Sequence, residues 1–112
     1  MEKSIKINIK PLSVNKAWQG RRFKTPEYAN YENSVLFMLP KLVLPDPPYE
    51  IYFKVGYSNK ASDIDNFLKP ILDILCKKYK FDDRNIYMLF IKKVIVKKGC
   101  EFIEFIIKHS DN

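Results

Sequence analysis

The sequence predicts an α+β fold: a single small domain in which about four strands form a mixed or antiparallel sheet with two helices packed on it. Three observations predict it. The chain has 112 residues, the length of one domain. Strand-like, period-two apolar patterns recur near the N-terminus, at mid-chain and near the C-terminus, outnumbering two intervals of helical period. The last two strand-like runs follow each other with no helix between them, which does not fit a regularly alternating βαβ chain.

Residues 4–10 place Ile5, Ile7 and Ile9 on one face of a half-buried strand, and Pro11 ends it. Residues 11–24 keep no sustained period and read as a loop. Thr25-Pro26-Glu27 is a helix start: a threonine N-cap, proline at the first helical position and an acid in the first turn. Tyr28, Tyr31, Val35, Met38 and Leu39 then form an apolar stripe to about Leu39, before Pro40. Pro40, Pro45, Pro47 and Pro48 make the next segment a stiff connector. Residues 49–57 alternate, with Tyr49, Ile51, Phe53, Val55 and Tyr57 on one face. Residues 58–62 read as a polar turn, and residues 65–79 as a helix capped by Asp65 or Asn66. Residues 85–97 and 101–108 are strand-like runs separated by Lys97-Lys98-Gly99, which predicts a hairpin.

The charge balance constrains the partner. Twenty Lys and Arg against thirteen Asp and Glu give +7. A small basic domain suits a polyanion, nucleic acid or an anionic membrane; solubility alone is the plainer alternative. No basic amphipathic helix argues for the membrane. The loop at 11–24 combines Lys16, Arg21, Arg22 and Lys24 with Trp18 and Phe23. Cations there neutralise phosphates and rings stack on bases, although Trp18 taken alone fits a core plug. Cys76 and Cys100 lack CxxC spacing and read as reduced apolar residues. No apolar run reaches transmembrane length and no signal-peptide core is present, so a cytoplasmic location is expected.

The acids concentrate in Ser62-Asp63-Ile64-Asp65-Asn66 and at Asp82-Asp83. On a helical wheel Asp65, Asn66, Lys69, Asp73 and Lys77 share the polar side of the second helix, opposite Phe67, Ile71, Ile74 and Leu75. If residues 63–65 are extended, the two aspartate Cα atoms lie roughly 6.5–7 Å apart on one face. One oxygen from each then reaches a single hard cation such as Mg²⁺. Asp83 is placed to complete the cluster, and Lys69 to offset phosphate charge. The structural alternatives stay open: Asp65 as a cap, Lys69–Asp73 as a surface pair and Asp82-Asp83 as a turn.

The run Asp63-Ile64-Asp65-Asn66, Lys69, Asp73-Ile74-Leu75, then Asp82-Asp83, resembles the signature of the RusA family of Holliday junction resolvases. Pro11-Leu12-Ser13-Val14-Asn15 after a first strand, and the threonine-started helix, resemble the family as well. The resemblance implies a small α+β, homodimeric endonuclease that nicks four-way DNA junctions symmetrically with Mg²⁺, Mn²⁺ being able to substitute. It implies metal binding by Asp63, Asp65 and Asp83, and a catalytic Lys69, with Asp73 left to orient that lysine or to cap the site. The expected DNA contacts are Lys16, Arg21, Arg22, Lys24, Lys60 and Lys69, with Ser62 where the family often carries a basic residue. Flap or fork cleavage, and junction binding without cleavage, are the competing activities.

Overall fold

The computed structural model describes residues 4–19 and 23–111, with the backbone alone at residues 18, 19 and 23. In chain order the elements are β1 (Ile5–Ile7), α1 (Val14–Ala17), β2 (Trp18–Gln19), β3 (Phe23–Lys24), α2 (Pro26–Met38), β4 (Tyr49–Tyr57), α3 (Leu68–Tyr79), a 3₁₀ turn (Asp83–Asn85), β5 (Ile86–Ile95) and β6 (Phe102–His109). The main sheet runs β1-β6-β4-β5, and β2 and β3 form a separate two-residue ribbon. The α+β expectation therefore holds, as a four-stranded mixed sheet under helices. The segment read as a plain loop adds the short α1 and the ribbon.

β4 is the organising strand. Its inward face, Tyr49, Ile51, Phe53, Val55 and Tyr57, is buried throughout. It pairs antiparallel with β6 on one side and parallel with β5 on the other. Parallel neighbours need a crossover, which α3 supplies. Tyr28, Tyr31 and Val35 of α2 and Ile71, Ile74 and Leu75 of α3 join that inward face in one core, so both long helices cover the same side of the sheet. Met38 departs from the predicted stripe; it is 41% exposed at the end of α2, where the chain turns away.

The hairpin expected from residues 85–108 is corrected. A turn does form, with Cys100 N–H donating to the Lys97 carbonyl and Gly99 at φ 93°. Yet β5 and β6 lie on opposite sides of β4 and do not pair. Their connection crosses the C-terminal end of β4, where Val96 N–H donates to the Tyr57 carbonyl at 2.8 Å. The reason is burial: β4 has the most continuous apolar face and takes the interior position, with a neighbour on both edges.

The helix start is corrected too. Residues 64–67 form turns, and α3 opens at Leu68 with Phe67 at the N-cap position. A cap at Asp65 or Asn66 would put Pro70 beyond the first turn, where its missing N–H breaks a helical bond and its ring strikes a carbonyl. Starting at Leu68 leaves Pro70 in the first turn, with Ile71 N–H closing the first bond onto the Phe67 carbonyl. The Asn66 carbonyl, denied a helical donor by Pro70, accepts from Val14 N–H at 3.0 Å. Thus a proline in α3 ties that helix to α1. Phe67 is fully buried and meets Phe53 edge-on, ring centroids 5.3 Å apart. We expect Phe67→Ala to cost about 3–5 kcal/mol, read as a lowered urea midpoint at unchanged slope; a loss under about 1 kcal/mol would mean that this ring does not anchor the turn.

Candidate active site

The chain leaves the C-terminal end of β4 at Tyr57 and descends into α3 through a loop that carries Asp63 and Asp65. Several bonds fix this loop. Ala61 N–H donates to Asn59 Oδ1 at 2.8 Å, Ser62 N–H to the Asn59 carbonyl, and Asn66 N–H to the Asp63 carbonyl at 3.2 Å. Lys93 of β5 reaches over from the helix-covered side; its Nζ donates to the Lys60 carbonyl at 2.9 Å and to the Ser62 carbonyl. From the β5–β6 connection, Glu101 accepts from the Ser58 hydroxyl and from Gly99 N–H, each at 2.8 Å. The entry to Asp63 is therefore held by a cation on one side and a carboxylate on the other.

Residues 63–65 are not the extended segment the sequence suggested, because the turn that delays α3 begins at Ile64. Asp63 and Asp65 are nonetheless both exposed, and among the described residues neither carboxylate has an ion pair or hydrogen bond. Two uncommitted hard-oxygen donors suit a divalent cation that retains several waters. Beneath them, burial pushes the Tyr57 hydroxyl up to about 12, and the nearby Asp65 and Asp63 charges push it the same way. Tyr57 is thus neutral at physiological pH and no general base.

Lys69, the second residue of α3, is exposed, with Nζ 3.6 Å from Asp73 Oδ2. The Lys69–Asp73 pairing read from the helical wheel is present. A groove of about 290 Å³ lies against the loop, lined by Lys10, Ser13, Lys16, Tyr57, Ser62 and Asn66 among others. It brings Lys16, a predicted DNA contact, and Lys10 to the acidic loop, on which Lys60 is also exposed. Lys24 lies over the Tyr28 ring, 4.7 Å from its centroid. Arg21, Arg22 and the side chain of Trp18 lie outside the described residues.

Asp83 stands elsewhere. It opens the 3₁₀ turn before β5, and the start of β5 pairs with the start of β4, whereas Asp63 and Asp65 follow the end of β4. The twelve residues of α3, about 18 Å of helix, run between these two ends. No group of three His, Cys, Asp or Glu side chains able to share an ion occurs among the described residues. Asp82 caps its own turn, accepting from Arg84 N–H at 3.0 Å and pairing with the Arg84 guanidinium at 3.3 Å. Cys76 lies nearby; burial, then Asp83, raises its thiol to about 11, so it is not a ready nucleophile.

Lys93 and Glu101 were missed in the sequence. Both act over long separations that only the β4–β5 pairing and the crossing connection create. Among the described residues no helix is long and apolar enough to cross a membrane.

A family model described as endodeoxyribonuclease RusA matches residues 8–104 of the chain. No curated protein matches it significantly.

Two outcomes test the loop's supports. Lys93→Met removes the ammonium that makes both bonds but keeps the aliphatic stem; hydrogen exchange at residues 60–66 is expected to quicken about tenfold, for a loss near 1.4 kcal/mol, and unchanged protection would sink the clamp. Glu101 supplies a pH test. Its own backbone N–H, then the Ser58 hydroxyl and Gly99 N–H, hold its carboxyl below the ordinary 4.5. A carboxyl lowered on folding stabilises fully above its unfolded value and loses that contribution as pH falls through the folded one. Below about pH 4.5 the protein should therefore lose stability more steeply than Glu101→Gln, measured by denaturation at successive pH values.

Proposed function

Because this chain belongs to the RusA family of endodeoxyribonucleases, we propose that it resolves four-way DNA junctions by paired, Mg²⁺-dependent nicks, Mn²⁺ serving as a substitute. The observation that carries the proposal is the uncommitted Asp63–Asp65 pair on a pinned turn beside a groove bearing Lys10 and Lys16. In this reading the two carboxylates hold the ion, which when bound supplies Lewis acidity at the scissile phosphate. Lys10, Lys16 and Lys60 neutralise neighbouring phosphates, with Arg21, Arg22 and Lys24 of the same basic segment as further contacts. Lys69 offsets the charge that develops on the phosphate, and Asp73 orients it.

Two opposed nicks need two sites, which a two-fold dimer provides. β5 is the support for one. It is an edge strand of ten residues, paired on one side only, with Tyr87, Met88, Leu89 and Phe90 all exposed. Asp82 and Asp83 precede it, while Lys92 and Lys93 lie near its end and Lys97 and Lys98 follow. Antiparallel pairing with a second copy would join acidic end to basic end. It would also carry Asp83 of one copy toward the end of β5 beside which Asp63 and Asp65 of the other stand. The third carboxylate, remote within one chain, is then supplied across the dimer.

Incubation of a synthetic four-way junction with protein and Mg²⁺ is expected to give symmetric nicks, and excess chelator to stop them. Asp65→Asn should lower nicking beyond the roughly 10–100-fold typical of outer-shell changes at metal sites, yet keep or improve junction binding. Tight binding without nicking in Mg²⁺ would leave a junction-binding protein, and preferential cutting of flaps or forks a different nuclease. For the dimer, light scattering should give two copies for the native chain and one for Leu89→Lys; a Leu89→Lys dimer would move the interface off β5.

A further inference from the structure

The helices cover one face of the sheet and, among the described residues, leave the other open, and the register places its outward residues in rows. Lys6, Glu104, Lys54 and Lys92 are successive partners across all four strands. Next to that row, Ile106, Tyr52 and Phe90 are partners, and beyond it Lys108, Glu50 and Met88. An aromatic strip thus runs between two rows that carry four lysines and two glutamates. The Tyr52 and Phe90 rings are stacked, 4.9 Å between centroids and 4° between planes, and Phe90 is 50% exposed.

Both acids of this face are engaged locally. Glu50 accepts from the Tyr52 hydroxyl at 2.8 Å and Glu104 from the Ser4 hydroxyl at 2.6 Å. Lys108 and Lys6 lie over rings, 5.1 Å from the Tyr52 centroid and 4.5 Å from that of Phe102. Lys54 and Lys92 have no ion pair or hydrogen bond among the described residues. Phe102 itself packs against Gly56; a Cβ there would come to 2.5 Å from the ring. An apolar outer face awaiting a protein would not interpose cations on both sides of its aromatic strip. Two copies meeting on this face would oppose lysine rows of one sign.

We propose that this open face is a second nucleic-acid surface, which stacks unpaired nucleotides on Phe90, backed by the Tyr52 ring, and holds their phosphates with Lys54, Lys92, Lys6 and Lys108. It is separate from the groove at the acidic loop and needs neither a metal nor cleavage. It extends the DNA reading above to junctions whose pairs at the crossover are broken, which present unpaired bases. Exposed rings stack on bases of any identity, so the contact is sequence-tolerant.

The test uses the full chain and labelled (dT)₂₀ without divalent metal. Fluorescence anisotropy should show that Phe90→Leu weakens binding about tenfold. Lys54→Gln with Lys92→Gln should flatten the salt dependence by about one to two units of log–log slope. An oligonucleotide carrying 5-iododeoxyuridine should cross-link on irradiation to Phe90 or Tyr52 in the native chain, a readout that needs no variant to fold. No binding of (dT)₂₀, cross-links confined to other residues, or native affinity in both variants overturns the proposal. Junction nicking with this face uncross-linked overturns this inference alone. Cross-linking here without any nicking in Mg²⁺ overturns the nuclease reading alone.

Discussion

Pro70 sets the geometry on which the acidic loop depends. A proline cannot sit past the first turn of a helix without losing a bond and striking a carbonyl. α3 therefore opens at Leu68, and the residues before it are left as turn. The same constraint leaves the Asn66 carbonyl open to Val14 N–H, drawing α1 and its lysine to the acids. Directly beneath, Phe67 is driven into the core against Phe53. One residue without an N–H thus joins helix start, core and groove.

The sheet gives this arrangement its two sides. β4 runs between a parallel and an antiparallel neighbour, so the crossover through α3 and the connection from β5 to β6 both pass its C-terminal end. That end is where the loop with Asp63 and Asp65 emerges. Lys93 reaches it from β5 and Glu101 from the β5–β6 connection, and they hold it by opposite charge. Exposed carboxylates on an otherwise loose segment would lose conformational freedom on taking up an ion; a loop already pinned has less to lose.

The parallel β4–β5 register also divides the acidic residues. It sends Asp83 to the far end of α3 from Asp63 and Asp65. Within one chain the acids form a pair and an outlier. The same strand, left as an edge with acids at one end and lysines at the other, is self-complementary in the antiparallel sense.

Local chemistry was legible from the sequence wherever it is self-contained. The Thr25 cap, with Tyr28 N–H on its hydroxyl, the nine-residue alternation of β4 and the buried stripe of α3 depend on neighbours within a few positions. The pairing of Lys69 with Asp73 is of that kind as well. What the sequence could not decide was which strand lies beside which. Two strand-like runs around Lys97-Lys98-Gly99 look the same whether they pair or flank a third strand, because alternation encodes a buried face and not a neighbour. Only the competition of β4 for the interior separated β5 from β6. That choice brought Lys93 to the acidic loop, sent Asp83 away from it and, among the described residues, left one face of the sheet without a helix.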